Sequence, residues 1–173
     1  MTIRLARPRD LAALRILYAE SVRVLGPGQY SPDQVRMWAS FADSDGFDAF
    51  ILDVDTYVAE LTGSAVGFCG VATDGHVASV YVAPVHARRG LGGWLLRHAL
   101  AARPRPSSGG WYAEASALSL PLFLRHGFRE TGRERVFRQG VEFERHLVAR
   151  AIVAAGGQAA PAGTAPHNSR RRS

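Results

Sequence analysis

The chain has 173 residues, of which 47% are hydrophobic and 21% are charged, and its formal net charge at pH 7 is +6. This length and balance predict one globular domain, residues 1–150, with one hydrophobic core, and they exclude a disordered chain and a second independent domain. No apolar stretch approaches the roughly 20 residues of a membrane span, and the first residues lack the apolar segment of a signal peptide. We therefore expect a cytoplasmic protein that does not bind a membrane.

The positive charge comes entirely from arginine, and Arg170, Arg171 and Arg172 stand together near the end of the chain. The other arginines are scattered, without a recognition helix or an aromatic platform, so we do not expect a nucleic-acid partner. Nucleic-acid binding through the arginine-rich tail is the alternative, and a mild attraction for an anionic cofactor explains the charge as well. Cys69, in the apolar run AVGFCGVA, is predicted to be a buried hydrophobic residue rather than a nucleophile.

Helical patterns occupy the first part of the chain. Apolar residues at helical spacing in residues 7–25, with a capping Asp10 and a Gly-Pro-Gly sequence at 26–28, predict a first helix. In YSPDQVRMWASFA, Ser31 is a helix cap and Gln34 completes a capping box, which predicts a second, short helix.

Three antiparallel strands are predicted between residues 48 and 83. The segments are FILDVDTYVAEL (50–61), SAVGFCGVAT (64–73) and HVASVYVA (76–83). They are separated by Thr62-Gly63 and Asp74-Gly75, dipeptides that favour hairpin turns.

The second half of the chain returns to helices and strands in alternation. A helix follows a glycine-rich loop and runs to Pro104, WYAEAS is a strand, LSLPLFLRH is a short helix, and residues 128–150 form a hairpin turned at Gln139-Gly140. This order predicts an α/β fold of the α+β kind, a mixed sheet with helices on both faces. From about Gly156 onward the residues are small, polar and rich in Pro and Gly, and we expect 151–173 to hold the end of the last element and a disordered tail.

The glycine-rich loop after the third strand is the most informative stretch. Its glycines let backbone N–H groups approach an anion closely, and a helix N-terminus adds about half a positive charge, so the loop suits a pyrophosphate. The Gly-Lys-Ser/Thr ending of a P-loop is missing, and Leu95 stands where G-x-G-x-x-G requires its last glycine. A helix entry without a ligand is the structural alternative.

The loop resembles the acetyl-coenzyme A (acetyl-CoA) loop of the GNAT superfamily, whose pattern is Gln/Arg-x-x-Gly-x-Gly/Ala after a strand that ends near V-x-P. Gly90 and Gly92 match this pattern, while Ala87 replaces the Gln/Arg and Arg88 lies beside it. Downstream, EAS-ALSLPLFLRHGF and a hairpin of the form V-x-R-x-G-V are also similar to the family, so the resemblance covers residues 3–149. It implies a central, mostly antiparallel sheet of about six to seven strands.

The resemblance also implies an activity, the transfer of an acetyl group from acetyl-CoA to a primary amine of a small molecule or peptide. In the family the amine attacks directly in a ternary complex, without an enzyme nucleophile or a metal. The strand backbone binds the pantetheine arm, a family Asn at the position of Ser116 contacts it, and a strand N–H near Val82 polarises the thioester. The candidate cofactor-binding residues are Val80, Tyr81, Val82, Arg88, Arg89, Gly90, Leu91, Gly92, Gly93 and Ser116.

Glu114 and His76 are the candidate general bases. Alternation along WYAEAS places Tyr112 and Glu114 on one face of an internal strand, where a polar stripe needs a reason. Pairing of Glu114 with an arginine of the last hairpin is the structural alternative. His76 is expected on the same face as Val80 and Val82 and suits proton transfer near neutral pH, with a solvated histidine beside a turn as the alternative.

The family's usual acid, a Tyr four residues before the Gly of the Gly-Phe pair, is replaced by Phe123, so no donor to the thiolate is predicted. Tyr30, Trp38 and Tyr112 are the candidate acceptor-binding residues, with core packing as the alternative. Phe123 and Ala87 favour a second function, a GNAT-fold module that binds acyl-CoA or a partner without catalysis. The sequence leaves open which amine is used and whether the chain forms a homodimer.

Overall fold

The computed structural model describes residues 1–152, which contain seven strands and five helices. The tail predicted from about Gly156 lies outside the described residues, and the single domain stays a prediction. In chain order the elements are β1 (Thr2–Leu5), α1 (Leu11–Leu25), α2 (Pro32–Ser40), α3 (Gly46–Leu52), β2 (Asp55–Leu61), β3 (Ser64–Val71), β4 (Val77–Val82), α4 (Leu91–Ala102), β5 (Gly110–Ala115), α5 (Leu120–Arg125), β6 (Arg129–Arg138) and β7 (Val141–Ala151).

The strands form two antiparallel sheets that are joined at one bridge. Their orders are β1-β2-β3-β4 and β5-β7-β6. The bridge is parallel and pairs His76 with Tyr112, whose N–H donates to the Gly75 carbonyl at 3.1 Å. Within residues 1–152 no ladder joins β4 to β5, so these strands separate beyond the bridge. The expected mixed, mostly antiparallel arrangement is confirmed, and it is divided at this position.

Helices pack on both faces, as predicted, and each face has its own hydrophobic cluster. Helix α4 covers one face, where Leu95 is fully buried, and helices α1 to α3 cover the other, around Tyr18. The alternation of β3 supplies both clusters, since Cys69 belongs to the first and Phe68 to the second. Burial raises the pKa of the Cys69 thiol, which agrees with a buried hydrophobic role.

Two elements differ from the sequence prediction. β1 was not predicted, because it has only four residues and pairs at the sheet edge with β2. Residues 46–52 form α3 rather than the start of a strand, and Phe47 and Ile51, one helical turn apart, are both fully buried. A short apolar run fits a buried strand and a buried helix equally well. Here the helix forms, because it packs Phe47 and Ile51 into the hydrophobic cluster around α1.

Predicted caps are confirmed for α2 but not for α1. The Ser31 hydroxyl accepts from the Gln34 N–H at 3.2 Å, and the Gln34 side chain accepts from the Ser31 N–H at 2.9 Å, which is the predicted capping box. Asp10 precedes α1 but does not cap it. Its carboxylate accepts from the Arg7 N–H at 2.8 Å and from the Arg4 guanidinium at 2.7 and 2.9 Å, tying α1 to β1.

Two predicted hairpin turns have the expected backbone. Thr62 and Gly63, between β2 and β3, have φ angles of 48° and 83°, and Gln139 and Gly140, between β6 and β7, have φ angles of 49° and 82°. Two successive left-handed residues match the twist of the flanking strands. The second turn ends the long β6–β7 hairpin that contributes to the site described next.

Candidate functional site

A cleft of about 810 Å³ opens where β4 and β5 separate, and we call it the glycine-loop cleft. Its walls are β4, the loop before α4, the first turn of α4, the second half of α1 and parts of the segment from β5 to α5. Eight of the ten residues predicted to bind the cofactor line it, namely Val80, Tyr81, Val82, Arg88, Gly90, Gly92, Gly93 and Ser116. The other two do not, since Leu91 is buried in the cluster under α4 and Arg89 is exposed.

Strand β4 presents backbone groups to this cleft. The Ala83 N–H donates to the Val66 carbonyl at 2.9 Å on the β3 side. Ladder hydrogen bonds of an antiparallel strand fall on alternate residues, so the N–H groups of Val80 and Val82 point away from β3 and into the cleft. These are the two residues whose backbone was expected to pair with pantetheine.

The loop before α4 has a backbone suited to an anion. Arg88 and Gly90 have left-handed φ angles of 59° and 84°, and the Trp94 N–H donates to the Gly90 carbonyl at 3.0 Å to begin the helix. The N–H groups of the first helical turn have no acceptor within the helix, and the helix dipole adds positive charge at the same end. Because Arg88 and three of the four residues Gly90–Gly93 line the cleft, this end can hold a pyrophosphate.

The lack of a side chain has a different consequence at Gly92 than at Gly93. A Cβ atom at Gly92 would lie 3.6 Å from Leu122 and from Val82, which is ordinary contact, so the protein itself leaves room there. A Cβ atom at Gly93 would lie 2.7 Å from the His126 ring, which is too close. Gly92 therefore keeps the cleft open beside free N–H groups, whereas Gly93 allows α4 to pack against the end of α5.

A second cavity, of about 520 Å³, adjoins the cleft on the side of α1 and α2, and we call it the aromatic cavity. Seven aromatic side chains line it: Tyr18, Tyr30, Trp38, Phe41, Phe50, Tyr81 and Phe143. Two of the three predicted acceptor-binding residues, Tyr30 and Trp38, are among them. Trp38 Nε1 donates to the Tyr81 hydroxyl at 3.1 Å, and the Tyr30 hydroxyl accepts from the Ala117 N–H at 2.9 Å. Burial raises the pKa of both phenols, so they are neutral near pH 7.

The two candidate bases contact each other beside the bridge between the sheets. His76 Nε2 lies 2.7 Å from Glu114 Oε2, and the two side chains are 30% and 28% exposed. The alternative in which Glu114 pairs with an arginine of the last hairpin is wrong, because in residues 1–152 its side chain contacts His76 and forms no ion pair with an arginine. The sequence proposed both residues separately but did not predict that they meet.

The expectation that His76 shares a face with Val80 and Val82 is also wrong, because β4 contains a bulge. The β3–β4 register shifts by one residue, which leaves Ala78 as an extra residue in β4. The extra residue inverts the alternation of side chains. His76 therefore lines the aromatic cavity with Tyr81, whereas Val80 and Val82 pack against the cluster under α4.

Asp74 and Tyr112 support the histidine. The Tyr112 ring stacks on His76 with 5.0 Å between centroids and 25° between planes, and its hydroxyl donates to Asp74 Oδ2 at 2.5 Å. Asp74 Oδ1 also accepts from the His76 N–H at 3.0 Å. The carboxylate raises the pKa of Tyr112 to about 12. Tyr112 thus contacts the candidate base and lies outside the lining of both cavities; Asp74 was predicted only as a turn residue.

The two cavities meet at the His76–Glu114 pair. Five residues line both of them: Trp38, Ala78, Tyr81, Glu114 and Ser116. The Ser116 hydroxyl also accepts from the Ser119 N–H at 3.1 Å, so it caps the turn that leads into α5. A molecule in the glycine-loop cleft and a molecule in the aromatic cavity would therefore face each other beside Glu114.

Phe123 lines the glycine-loop cleft where the resemblance would place a tyrosine hydroxyl. It is 3% exposed and its ring meets Phe128 edge to face at 5.0 Å, so the side chain belongs to the core as well. In the described part of the chain no three His, Cys, Asp or Glu side chains are grouped as metal ligands. None of the helices in residues 1–152 has the length and apolar character needed to cross a membrane.

Comparison with known proteins identifies similar chains. Residues 28–145 match the family model described as "Acetyltransferase (GNAT) domain". "Uncharacterized N-acetyltransferase YafP" of Escherichia coli (strain K12) is 26% identical over 141 residues, which are 82% of this chain and 89% of that protein.

The fold is shared with solved structures. The GCN5-related N-acetyltransferase "Aminotransferase, Class-II" from Rhodopseudomonas palustris has a TM-score of 0.82 at 24% identity, covering 87% of this chain and 94% of that chain. The structure of yncA from Salmonella typhimurium with its cofactor acetyl-CoA has a TM-score of 0.61 at 23% identity, covering 95% of this chain and 99% of that chain.

Proposed function

Because the chain belongs to the acetyltransferase (GNAT) family, we propose that it transfers an acetyl group from acetyl-CoA to the primary amine of a small molecule or peptide in a ternary complex. The observation that carries the proposal is the meeting of the two cavities at Glu114. The glycine-loop cleft would hold the donor and the aromatic cavity would hold the amine.

The donor would be bound mainly by backbone groups. The first-turn N–H groups of α4 and the side chain of Arg88 suit the pyrophosphate, while the free N–H groups of Val80 and Val82 suit the pantetheine arm. This division explains why Ala87 is tolerable at the family's Gln/Arg position, since the backbone does most of the binding. The yncA structure contains acetyl-CoA, which supports the same donor here.

The His76–Glu114 pair would remove the proton that blocks attack. The acceptor arrives as an ammonium ion and gives one proton to the pair, and its nitrogen lone pair then attacks the thioester carbonyl carbon. A C–N bond forms while the carbonyl oxygen becomes an oxyanion, which a further β4 N–H near Val82 would stabilise. The oxyanion collapses, the C–S bond breaks and coenzyme A leaves as a thiolate, while the new amide nitrogen releases its second proton to water.

No side chain is assigned as the acid that protonates this thiolate. Phe123 cannot donate a proton, and a thiol of ordinary pKa, about 8.5, is a sufficiently good leaving group to take its proton from water afterwards. The glycine-loop cleft is open to solvent, so water reaches the sulfur position. The mechanism therefore relies on the His76–Glu114 pair as the general base and assigns no side chain as the general acid.

A non-catalytic acyl-CoA-binding module is the second candidate, and the hydrophobic Phe123 and Ala87 are the observations that favour it. Calorimetric titration with acetyl-CoA, followed by thiol release with a panel of primary amines, separates the two. Binding with amine-dependent thiol release supports the transferase. Binding without release on any amine supports the module, and absence of binding contradicts both.

A further inference from the structure

Arg138 is a charged side chain of the aromatic cavity, and it has no ionic partner among residues 1–152. The other charged residues of the lining are paired: Glu114 with His76 at 2.7 Å, Arg145 with Glu134 at 2.5 Å, and Glu144 with Arg133 at 3.4 Å. Among residues 1–152 no carboxylate lies within 4.0 Å of the Arg138 guanidinium. The cavity thus holds a cation whose charge no residue in the described part of the chain neutralises.

The fold places this exposed arginine at the cavity. Arg138 is the last residue of β6, and the hairpin it belongs to is fastened to α2 by a hydrogen bond from Gln34 Nε2 to the Glu142 carbonyl at 2.7 Å. Burial raises the pKa values of Tyr18 and Tyr81, and the nearby charge of Arg138 acts in the opposite direction on both. The guanidinium is therefore close enough to these two phenols to affect their ionisation.

The strand register separates Arg138 from the His76–Glu114 pair. On β7, Leu147 lies opposite Glu114 and Val141 lies opposite Arg138. Six residues of strand correspond to roughly 20 Å along the backbone. The two side chains reach toward the cavity from opposite ends, so a ligand that meets both is longer than an α-amino acid, whose two charges are separated by one carbon.

We propose that the acceptor is an elongated amino carboxylate. Its amine lies at the His76–Glu114 pair, its aromatic or apolar middle contacts the aromatic side chains, and its carboxylate binds Arg138. A guanidinium binds a carboxylate through two parallel hydrogen bonds, which gives both affinity and orientation. This inference rests on the proposed acetyl transfer, because it names the amine class that the same site accepts.

A matched pair of amines tests the role of the carboxylate. 4-(Aminomethyl)phenylacetic acid and its primary amide have the same amine, ring and length and differ in one charge. Acetyl transfer to each is measured with the parent enzyme, with Arg138→Gln and with Arg129→Gln. Arg129 is an exposed arginine at the other end of β6, outside the lining of both cavities, so its variant controls for the loss of one positive charge.

We expect kcat/KM for the acid to exceed that for the amide by about tenfold or more in the parent enzyme and in Arg129→Gln, and to equal it in Arg138→Gln. Equal use of both amines by the parent enzyme overturns the inference, and so does a preference that survives in Arg138→Gln. If neither amine is acetylated or binds to the coenzyme A-loaded protein in calorimetry, the inference is also overturned. Failure of the proposed function is distinct, because then acetyl-CoA does not bind or no amine of a broad panel releases thiol.

Discussion

Replacing Glu114 with glutamine separates proton transfer from folding. In the parent structure Glu114 Oε2 lies 2.7 Å from His76 Nε2. The substitution preserves the size of the side chain and its ability to hydrogen-bond His76, but it removes the carboxylate. A positioned general base contributes about 10²- to 10⁴-fold to the rate, or roughly 3–5 kcal/mol. The two side chains are 30% and 28% exposed, so solvent limits the contribution of the His76–Glu114 contact to folding to about 1 kcal/mol. The loss of activity should therefore greatly exceed the loss of stability.

The assay is steady-state thiol release, with the acetyl-CoA Kd from calorimetry and Tm from thermal unfolding. The matched control is Glu20→Gln, which makes the same chemical change at an exposed position of α1. We expect kcat of Glu114→Gln to fall about 100-fold or more while the Kd changes by less than about twofold. Adding His76→Asn to Glu114→Gln should lower kcat only a little further, because the effects of substituting two residues in contact are not additive. A Glu114→Gln enzyme that retains more than about a third of the parental kcat would refute the assignment of the base.

Four further substitutions test the site and the fold. Gly92→Ala should weaken acetyl-CoA binding about tenfold without lowering Tm, whereas Gly93→Ala should lower Tm, because only the Cβ atom added at Gly93 lies closer than 3 Å to another protein atom. Calorimetry measures the binding and thermal unfolding measures Tm, and the reverse pattern contradicts the reasoning. Asp74→Asn should lower the pKa of Tyr112 from about 12 toward the ordinary 10, seen as an ultraviolet titration step that Tyr112→Phe removes. Asp10→Asn should reduce the free energy of unfolding at pH 7 by about 1–3 kcal/mol, because the carboxylate is buried on the Arg4 guanidinium. Arg4 holds the pKa of Asp10 below its unfolded value of about 3.9, so this stabilisation is present above that pH and is lost as the pH falls through the folded pKa. Denaturant unfolding at pH 7 and at pH 3 should therefore show that the free energies of unfolding of the parent and the variant converge at the lower pH. A difference that is the same at both pH values would contradict the reasoning.

Features that depend on local chemistry were predictable from the sequence. The glycine loop, the Ser31–Gln34 capping box and the Thr62-Gly63 turn each need particular residue types at fixed spacing, because backbone conformation and helix-end hydrogen bonds are decided within a few residues. The helix start at α4 that could bind an anion follows from the same rule. The short strand β1 and the helix α3 were missed because their local patterns are weak or ambiguous and only packing decides them.

The sequence by itself determined which residues could bind an anion, turn a hairpin or accept a proton. The tertiary structure decided which of them meet. His76 and Glu114 are 38 positions apart and contact each other only because a one-residue bulge at Ala78 turns His76 toward the aromatic cavity. Arg138 lines that cavity at the end of β6, on a hairpin that is hydrogen-bonded to α2. Such contacts depend on register and on the separation of two sheets, which are properties of the whole packed chain and leave no periodic signal in any one segment.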